Sequence, residues 1–461
     1  MFSAFIILCE LRLFSAGIVT ARSSSAAIHF ANPWWRILCT SRIPRFSRIC
    51  SDSGWLGKLR PNLVRVKYLK RCYQLHPTHF HNVSGEKWDL LVVDQVFNPQ
   101  SAIFLDQSGK PRYPTILFAT SVPVLAGRRN QGLPVNPVLQ TPLWDPKYDM
   151  KLLSHRLKQL VVFLSNIVEQ HFSRLYTFIT LYPLLRFSQT ADQMANQAVL
   201  FFHRKWESVG EPDPTSLTTL SIIEGECPEI KDKSLPKDLL DFIEDPSSKG
   251  TTLAAFGHYV DFKAIPGKTS EAIFKAFSRL SQYKFIWQYG GSKLPRKSNI
   301  FFSEWIPQPA ILAHPKTKVF MSHSGIKSIQ ECICSVVSIL CFPVSSDQFS
   351  HGRVICDQAR AGRLVHKLEF NETTLAETLL DLLENETYTK NMKRLNSVMT
   401  EKLRKPIDLA VHKIELLLKN AANITRLMEL RGKQLNLFTH FCTDVIVMFV
   451  TLVATITRLI K

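Results

Sequence analysis

From Phe320 to Cys332 the chain reads FMSHSGIKSIQEC, and His323, Gly325 and Glu331 are the residue types in it that could do chemistry. An apolar strand-like run ends at Ser322 and delivers His323 and Gly325 to its C-terminal end. A helix starting there would present free backbone N–H groups and the positive end of its dipole. Gly325 would let a phosphate approach closely, and His323 can donate to an anionic oxygen. Glu331 lies eight residues past His323, a little over two helical turns, and suits the acceptor role for sugar hydroxyls of the same nucleotide. Strand–glycine–helix steps also serve as plain structural turns with a satisfied histidine, so this stretch alone leaves both readings open. A second carboxylate, Asp94, ends KWDLLVVD (87–94), which looks like a buried parallel strand.

The elements that must position these residues alternate. YPTILFATS (113–121) reads as a second strand, and 150–187 as a long Leu- and Phe-rich helical region. A polar, Pro-bearing stretch over 210–250 reads as an interdomain linker. Beyond it TTLAAFGHYV is a strand with a glycine turn, and 269–283 is a helix with a Ser/Glu capping start. KFIWQYG, NIFFSEWIP, TKVFMS and VVSILCFPV are strands, AILAHP is a short helix, and FNETTLAETLLDLLEN is a capped helix. Strands and helices alternating at this spacing predict an α/β fold with parallel, doubly wound sheets, whose ligands sit at the C-terminal strand ends.

Length and composition bound the rest. A chain of 461 residues predicts two domains. The balance of 57 Lys+Arg against 38 Asp+Glu, net +19, favours anionic partners. The basic excess over residues 36–71 has no nucleic-acid motif with interleaved aromatics beside it, so it reads as a solvated face and no nucleic-acid partner is expected. Ten cysteines at scattered spacing include a CxC but no paired CxxC, so no metal site is expected and they read as buried or singly paired thiols. Sequons at Asn82, Asn371, Asn385 and Asn423 lend weak support to a lumenal route. The N-terminus fits a secretory signal poorly, because Glu10 and Arg12 break its apolar run and no basic residue precedes it. Near the C-terminus, Gln434 to Thr457 is a 24-residue apolar run whose one formal charge is Asp444, long enough to predict a membrane-spanning helix.

The segment EWIPQPAILAHPKTKVFMSHSGIKSIQECICSVVSILCFPVSSDQ resembles the nucleotide-sugar-binding region of the animal family-1 UDP-glycosyltransferases, the UDP-glucuronosyl- and glucosyltransferase type. The resemblance implies a role for each matching residue. Trp305 would stack on uracil, Gln308 and Glu331 would contact the ribose, and His323, with Ser324 and Gly325, would hold the diphosphate. Asp347 and Gln348, in the Pro-x-x-x-Asp-Gln step from Pro343, would hold the hydroxyls of the transferred sugar. SLPKDLLDFIED resembles the family's linker, KPIDLAVHKIELLLKN its closing helix, and Asp444 the lumenal edge of its anchor. KWDLLVVD resembles the strand whose final carboxylate is catalytic, here Asp94.

The resemblance implies a GT-B fold: two facing Rossmann-like, doubly wound domains, an apparently incomplete N-terminal one, and a C-terminal transmembrane helix. The implied divisions are an atypical basic region (1–86), the remainder of an acceptor-binding domain (87–215), a linker (216–250), a UDP-sugar-binding domain (251–433) and an anchor (434–459). The implied reaction is transfer of glucose or glucuronate from UDP to a hydroxyl of a small lipophilic acceptor, by displacement at C1 with inversion and without metal or other cofactor. A histidine would take the acceptor proton and an aspartate orient it. The implied location is the endoplasmic reticulum membrane, single-pass, with the bulk lumenal, and with self- or hetero-assembly as a further partner class. The sequence departs from the family in three places. No histidine matches the catalytic base; His29, His76, His79 and His81 fit no motif. Ser338 replaces a proline, with CICSVVS in place of a Gly-rich turn, and His258 replaces a small hydroxyl residue. The alternative reading is a relative that binds the donor, is catalytically inactive and acts by assembly with active homologues.

Overall fold

The structure, a computed structural model, describes residues 19–21, 66–78 in part, 90–94, 114–119, 128–139 except 130, 148–184, 196–206, 209, 218–233 in part, 234–257, 260–344, 347–420, 427, 428 and 430–460. The elements of the first half are β1 (Val19–Ala21), β2 (Leu90–Asp94), β3 (Thr115–Ala119), α1 (Leu153–Leu181), β4 (Leu200–His203) and β5 (Thr219–Ser221). They form one sheet in the order β1-β2-β3-β4-β5, with β1 antiparallel and the rest parallel. β3 and β4 are buried along their whole length and apolar but for Thr115 and His203, as a sheet covered on both faces requires.

The second half runs α2 (Lys237–Glu244), β6 (Thr251–Ala255), α3 (Gly267–Arg279), β7 (Lys284–Gln288), β8 (Ile300–Ser303), α4 (Gln308–Leu312), β9 (Thr317–Ser322), α5 (Ile326–Cys334), β10 (Ser338–Cys341), α6 (Gln348–Arg353), a π-helical turn over Val354–Gln358, β11 (Gly362–Leu364), α7 (Glu372–Glu384), α8 (Thr387–Thr400) and α9 (Pro406–Lys419). Its six-stranded sheet is parallel in the order β11-β10-β9-β6-β7-β8. The chain leaves β6 in one direction and returns to β9 to run in the other, which is the doubly wound pattern. The first sheet differs from expectation: its described strands follow sequence order, with no reversal and so no switch point.

Helix faces explain the packing. α5 buries Ile326, Ile329, Cys332 and Ile333, and α7 buries Leu375, Leu379, Leu382 and Leu383, each set on a helical period against the second sheet. α9 buries Ala410, Ile414 and Leu417 against Leu90, Ile116 and Leu200 of the first sheet, so the closing helix returns to the first half. α7 starts with the expected cap, Asn371 Oδ1 accepting from the N–H groups of Thr373 and Thr374. α3 does not: it begins after Pro266 with no side-chain cap, and Ser270 and Glu271 already lie inside the helix.

Two helices present apolar surface outward. On α1 Leu153, Leu157, Leu164, Val168, Leu175 and Ile179 share one face and are exposed, whereas Gln159, Ser173 and Thr177 are buried. After α10 (Leu437–His440) the chain turns at Cys442, whose φ is 52°, and α11 (Thr443–Ile460) follows with Val445 to Val450 all exposed. The expected single spanning helix over 434–459 is therefore not formed. α11 has 18 residues, about 27 Å at ~1.5 Å per residue against a hydrocarbon core of ~30 Å. Among the described residues no helix is long and apolar enough to cross a membrane.

Candidate functional site

The switch point of the second sheet lies between its adjacent strands β6 and β9, where connections depart in opposite directions and leave a crevice. The loop after β6 carries Gly257 at φ 67°, a left-handed conformation that side chains rarely adopt. The loop after β9 carries His323, Ser324 and Gly325, the last being the N-cap of α5. A Cβ at Gly257 would stand 2.9 Å from His323 Cε1, and one at Gly325 only 2.5 Å from its Nε2. The imidazole is thus seated between two backbones that only glycine leaves open. Ser324 is buried and also left-handed, at φ 67°, which costs a non-glycine residue about 1–2 kcal/mol. Its N–H donates to Ser322 Oγ at 3.2 Å. No side chain caps α5, so its first N–H groups and dipole face the crevice as an anion site.

A second group stands about one and a half turns along α5. Gln308, the first residue of α4, donates from Nε2 to Glu331 Oε2 at 2.7 Å and to Ser328 Oγ at 3.3 Å. Burial raises the Glu331 carboxyl above the usual carboxylate range, while the Gln308 hydrogen bond and the nearby Lys327 ammonium pull it back. Lys327, in the first turn of α5, has its own pKa lowered, by burial first and then by the Arg204 guanidinium. Arg204 directly follows β4, so a cation of the first half approaches the head of α5 and the two halves face each other there. Trp305, in the turn between β8 and α4, is 79% exposed, with its backbone carbonyl held by Ser303 Oγ at 2.6 Å. Its indole presents an open face on which a flat ring could stack.

Asp347 is the N-cap of α6 and Gln348 its first residue, beyond the C-terminal end of β10. Gln348 Oε1 accepts from the Val344 N–H at 2.8 Å. Trp305, Gln308, His323, Ser324, Gly325, Glu331, Asp347 and Gln348 thus all follow the C-terminal ends of β8, β9 and β10, on one edge of one sheet. Asp94 ends β2 in the other sheet; its side chain, and all of His258, lie outside the described residues. Among the described residues no three of His, Cys, Asp and Glu gather to hold a metal ion.

Three further residues stand beside this edge that sequence alone does not single out: Lys327, Arg204 and His351. Lys327 carries a usable signal, a cation in the first turn of a helix expected to cradle an anion. His351 lies one helical turn after Asp347, with its Nε2 4.0 Å from Asp347 Oδ2. Arg204 has no local signal, because β4 is only four residues long. His203, which ends β4, is buried, and burial together with the Arg128 and Lys205 cations holds its pKa down to about 3. It stays neutral at any working pH and is a weak base, poorly matched to taking a hydroxyl proton.

The sequence matches the family model described as "UDP-glucoronosyl and UDP-glucosyl transferase" over residues 77–461. UDP-glucuronosyltransferase 1A6 of Oryctolagus cuniculus is 25% identical over 388 residues, 80% of this chain and 69% of the relative. UDP-glucuronosyltransferase 2C1 of the same organism is 30% identical over 50% of this chain and 45% of the relative, and UDP-glucuronosyltransferase 1A9 of Mus musculus is 29% identical over 41% and 36%. The chain thus spans less than half the length of these last two relatives. Two solved structures share the fold: the glycotransferase of kitacinnamycin, with a TM-score of 0.50, 15% identity and coverage of 77% of this chain and 80% of that one, and the spinosyn forosaminyltransferase SpnP, with 0.50, 16%, 77% and 79%. These are GT-B glycosyltransferases, and the likeness bears on architecture alone.

Proposed function

Because the chain belongs to the UDP-glucoronosyl and UDP-glucosyl transferase family, we propose that it transfers glucose or glucuronate from the UDP-sugar to a hydroxyl of a small lipophilic acceptor, with inversion at C1. The observation that carries this reading is the seat of His323 between Gly257 and Gly325, at the uncapped head of α5. A departing diphosphate gathers negative charge, and preorganised N–H donors there stabilise it without reorganising. Glu331 and Gln308, which share a hydrogen bond at 2.7 Å, would take the ribose hydroxyls. Trp305 offers the uracil a stacking face, and Asp347 with Gln348 would take the hexose hydroxyls. Asp94, at the C-terminal end of β2, would orient the base that removes the acceptor proton.

The disulfide Cys227–Cys334 favours maturation in an oxidising compartment, in keeping with a lumenal site. The outward apolar faces of α1 and α11 fit a lipid surface, so the membrane is the proposed partner of both. Calorimetry with UDP tests the donor site, and wild-type protein without measurable binding ends this reading. Turnover of UDP-glucose and UDP-glucuronate with a panel of phenols tests the reaction. UDP binding without turnover would reduce the protein to a donor-binding relative, and loss of turnover in Asp94→Ala with UDP binding retained would support that carboxylate's role.

A further inference from the structure

His351 is almost fully buried, with 2% of its surface exposed, and lies in α6. Its Nδ1 is 3.2 Å from the carbonyl oxygen of Ser324. A carbonyl only accepts, so this contact is a hydrogen bond when Nδ1 carries the proton. That carbonyl belongs to the Ser324–Gly325 peptide. No peptide bond of the described chain is cis, and in a planar trans peptide the C=O and the following N–H point in opposite directions. Holding the Ser324 carbonyl toward α6 therefore turns the Gly325 N–H away from α6. α6 follows β10, and the sheet order places β9 between β10 and β6. Away from α6 is thus toward β6, Gly257 and the switch-point crevice. Ser324 itself sits at φ 67°, a conformation of low intrinsic stability, and its N–H is held by Ser322 Oγ.

We infer that His351 is a positioning residue for the diphosphate: its Nδ1–H fixes the Ser324–Gly325 peptide so that the Gly325 N–H faces the anion. The inference rests on the donor site proposed above. His351 need not touch the nucleotide, since its Nε2 is itself buried and points toward Asp347. What it supplies is the orientation of a backbone donor. An asparagine amide can reach the same carbonyl, whereas a leucine of similar bulk cannot donate at all.

The test compares His351→Asn with His351→Leu by calorimetry, using UDP and uridine as separate ligands. His351→Asn is expected to bind UDP within about threefold of wild type, and His351→Leu to lose about tenfold, the worth of one hydrogen bond to a charged group. Uridine, which lacks the diphosphate, is expected to bind all three proteins alike. The inference is overturned if His351→Leu binds UDP as wild type does, if it loses uridine in the same proportion, or if His351→Asn fails to restore binding. Wild-type protein that binds uridine but not UDP would overturn the diphosphate site itself, and the inference with it. Should the leucine variant not fold, nitrogen-15 NMR of wild-type His351 decides independently. A proton on Nδ1 supports the role, and a bare Nδ1 overturns it.

Discussion

At the scale of residues, the proposed ribose contact through Glu331 and Gln308 would tie ligand affinity to pH. Burial is the main cause of the raised Glu331 pKa, and the Gln308 hydrogen bond only partly offsets it. A carboxyl whose folded pKa lies above its unfolded value contributes stability below the unfolded pKa and loses it as pH rises through the folded one. The fold therefore gains from protonated Glu331 at acid pH, while the ribose needs the ionised form, which accepts hydrogen bonds through both oxygens. Uridine affinity is expected to fall as pH drops through the raised pKa of Glu331, and binding in that window should release protons. UDP would obscure the effect, because its terminal phosphate titrates near pH ~6. Calorimetry with uridine in buffers of different ionisation enthalpy measures both quantities. Glu331→Gln should bind uridine about 10- to 150-fold more weakly at neutral pH, the worth of a charge-assisted hydrogen bond of about 1.5–3 kcal/mol, and show a flat pH profile. A wild-type profile equally flat would remove Glu331 from the ribose site.

At the scale of elements, α5 is held at both ends, and the two constraints differ in kind. Its head is set by Gly325, Ser324 and the β9 loop, and its tail by the disulfide from Cys334 to Cys227, 107 residues earlier. Cys227→Ser with Cys334→Ser is expected to cost about 2–5 kcal/mol of stability, or roughly 4–20 °C in Tm if the second half melts as a unit of about 200 residues. UDP affinity should change by less than about threefold, because the head keeps its own hydrogen bonds. Thermal scans with and without reductant check this, and a melting temperature indifferent to reductant would argue against the bond. The same element shows what was legible in the sequence. β6 to β10 could be read because each is a short apolar run closed by a turn residue, and α5 and α7 because their buried residues keep a helical period. The Cys227–Cys334 pairing could not, since scattered cysteines do not reveal their partners. Nor could the left-handed Ser324 and Cys442, since a non-glycine residue carries no local signal for that conformation. β5 and β11, at three residues each, are too short to carry a periodic signal.

At the scale of the whole molecule, the two halves differ in what the sequence disclosed. The grouping of the proposed donor residues on one sheet edge was legible because they come from one continuous segment, Trp305 to Gln348, whose order along the chain is also its order across β8, β9 and β10. The facing edge is assembled from the ends of β2 and β4, 109 residues apart by Asp94 and His203, so no single stretch announces it. The outward apolar stripe of α1 lies beyond any local reading, because a periodic stripe looks the same whether it faces a core or a lipid. Burial separates the two, since Gln159, Ser173 and Thr177 face inward while Leu157, Leu164 and Leu175 face out. Phe163, on the buried side of α1, packs edge-on against Phe441, which leads into α11, so the start of α11 lies close to α1. If both rest on lipid, the full chain should float with neutral phosphatidylcholine vesicles and stay bound at high salt, because apolar burial is not screened as charge is. Leu157→Glu, Leu164→Glu and Leu175→Glu together should lower the floated fraction while α11 remains intact, and Val447→Glu with Val450→Glu should lower it further. Flotation lost at high salt would assign membrane binding to the +19 net charge instead. A triple α1 variant that floats as well as wild type would leave α11 as the sole contact with lipid.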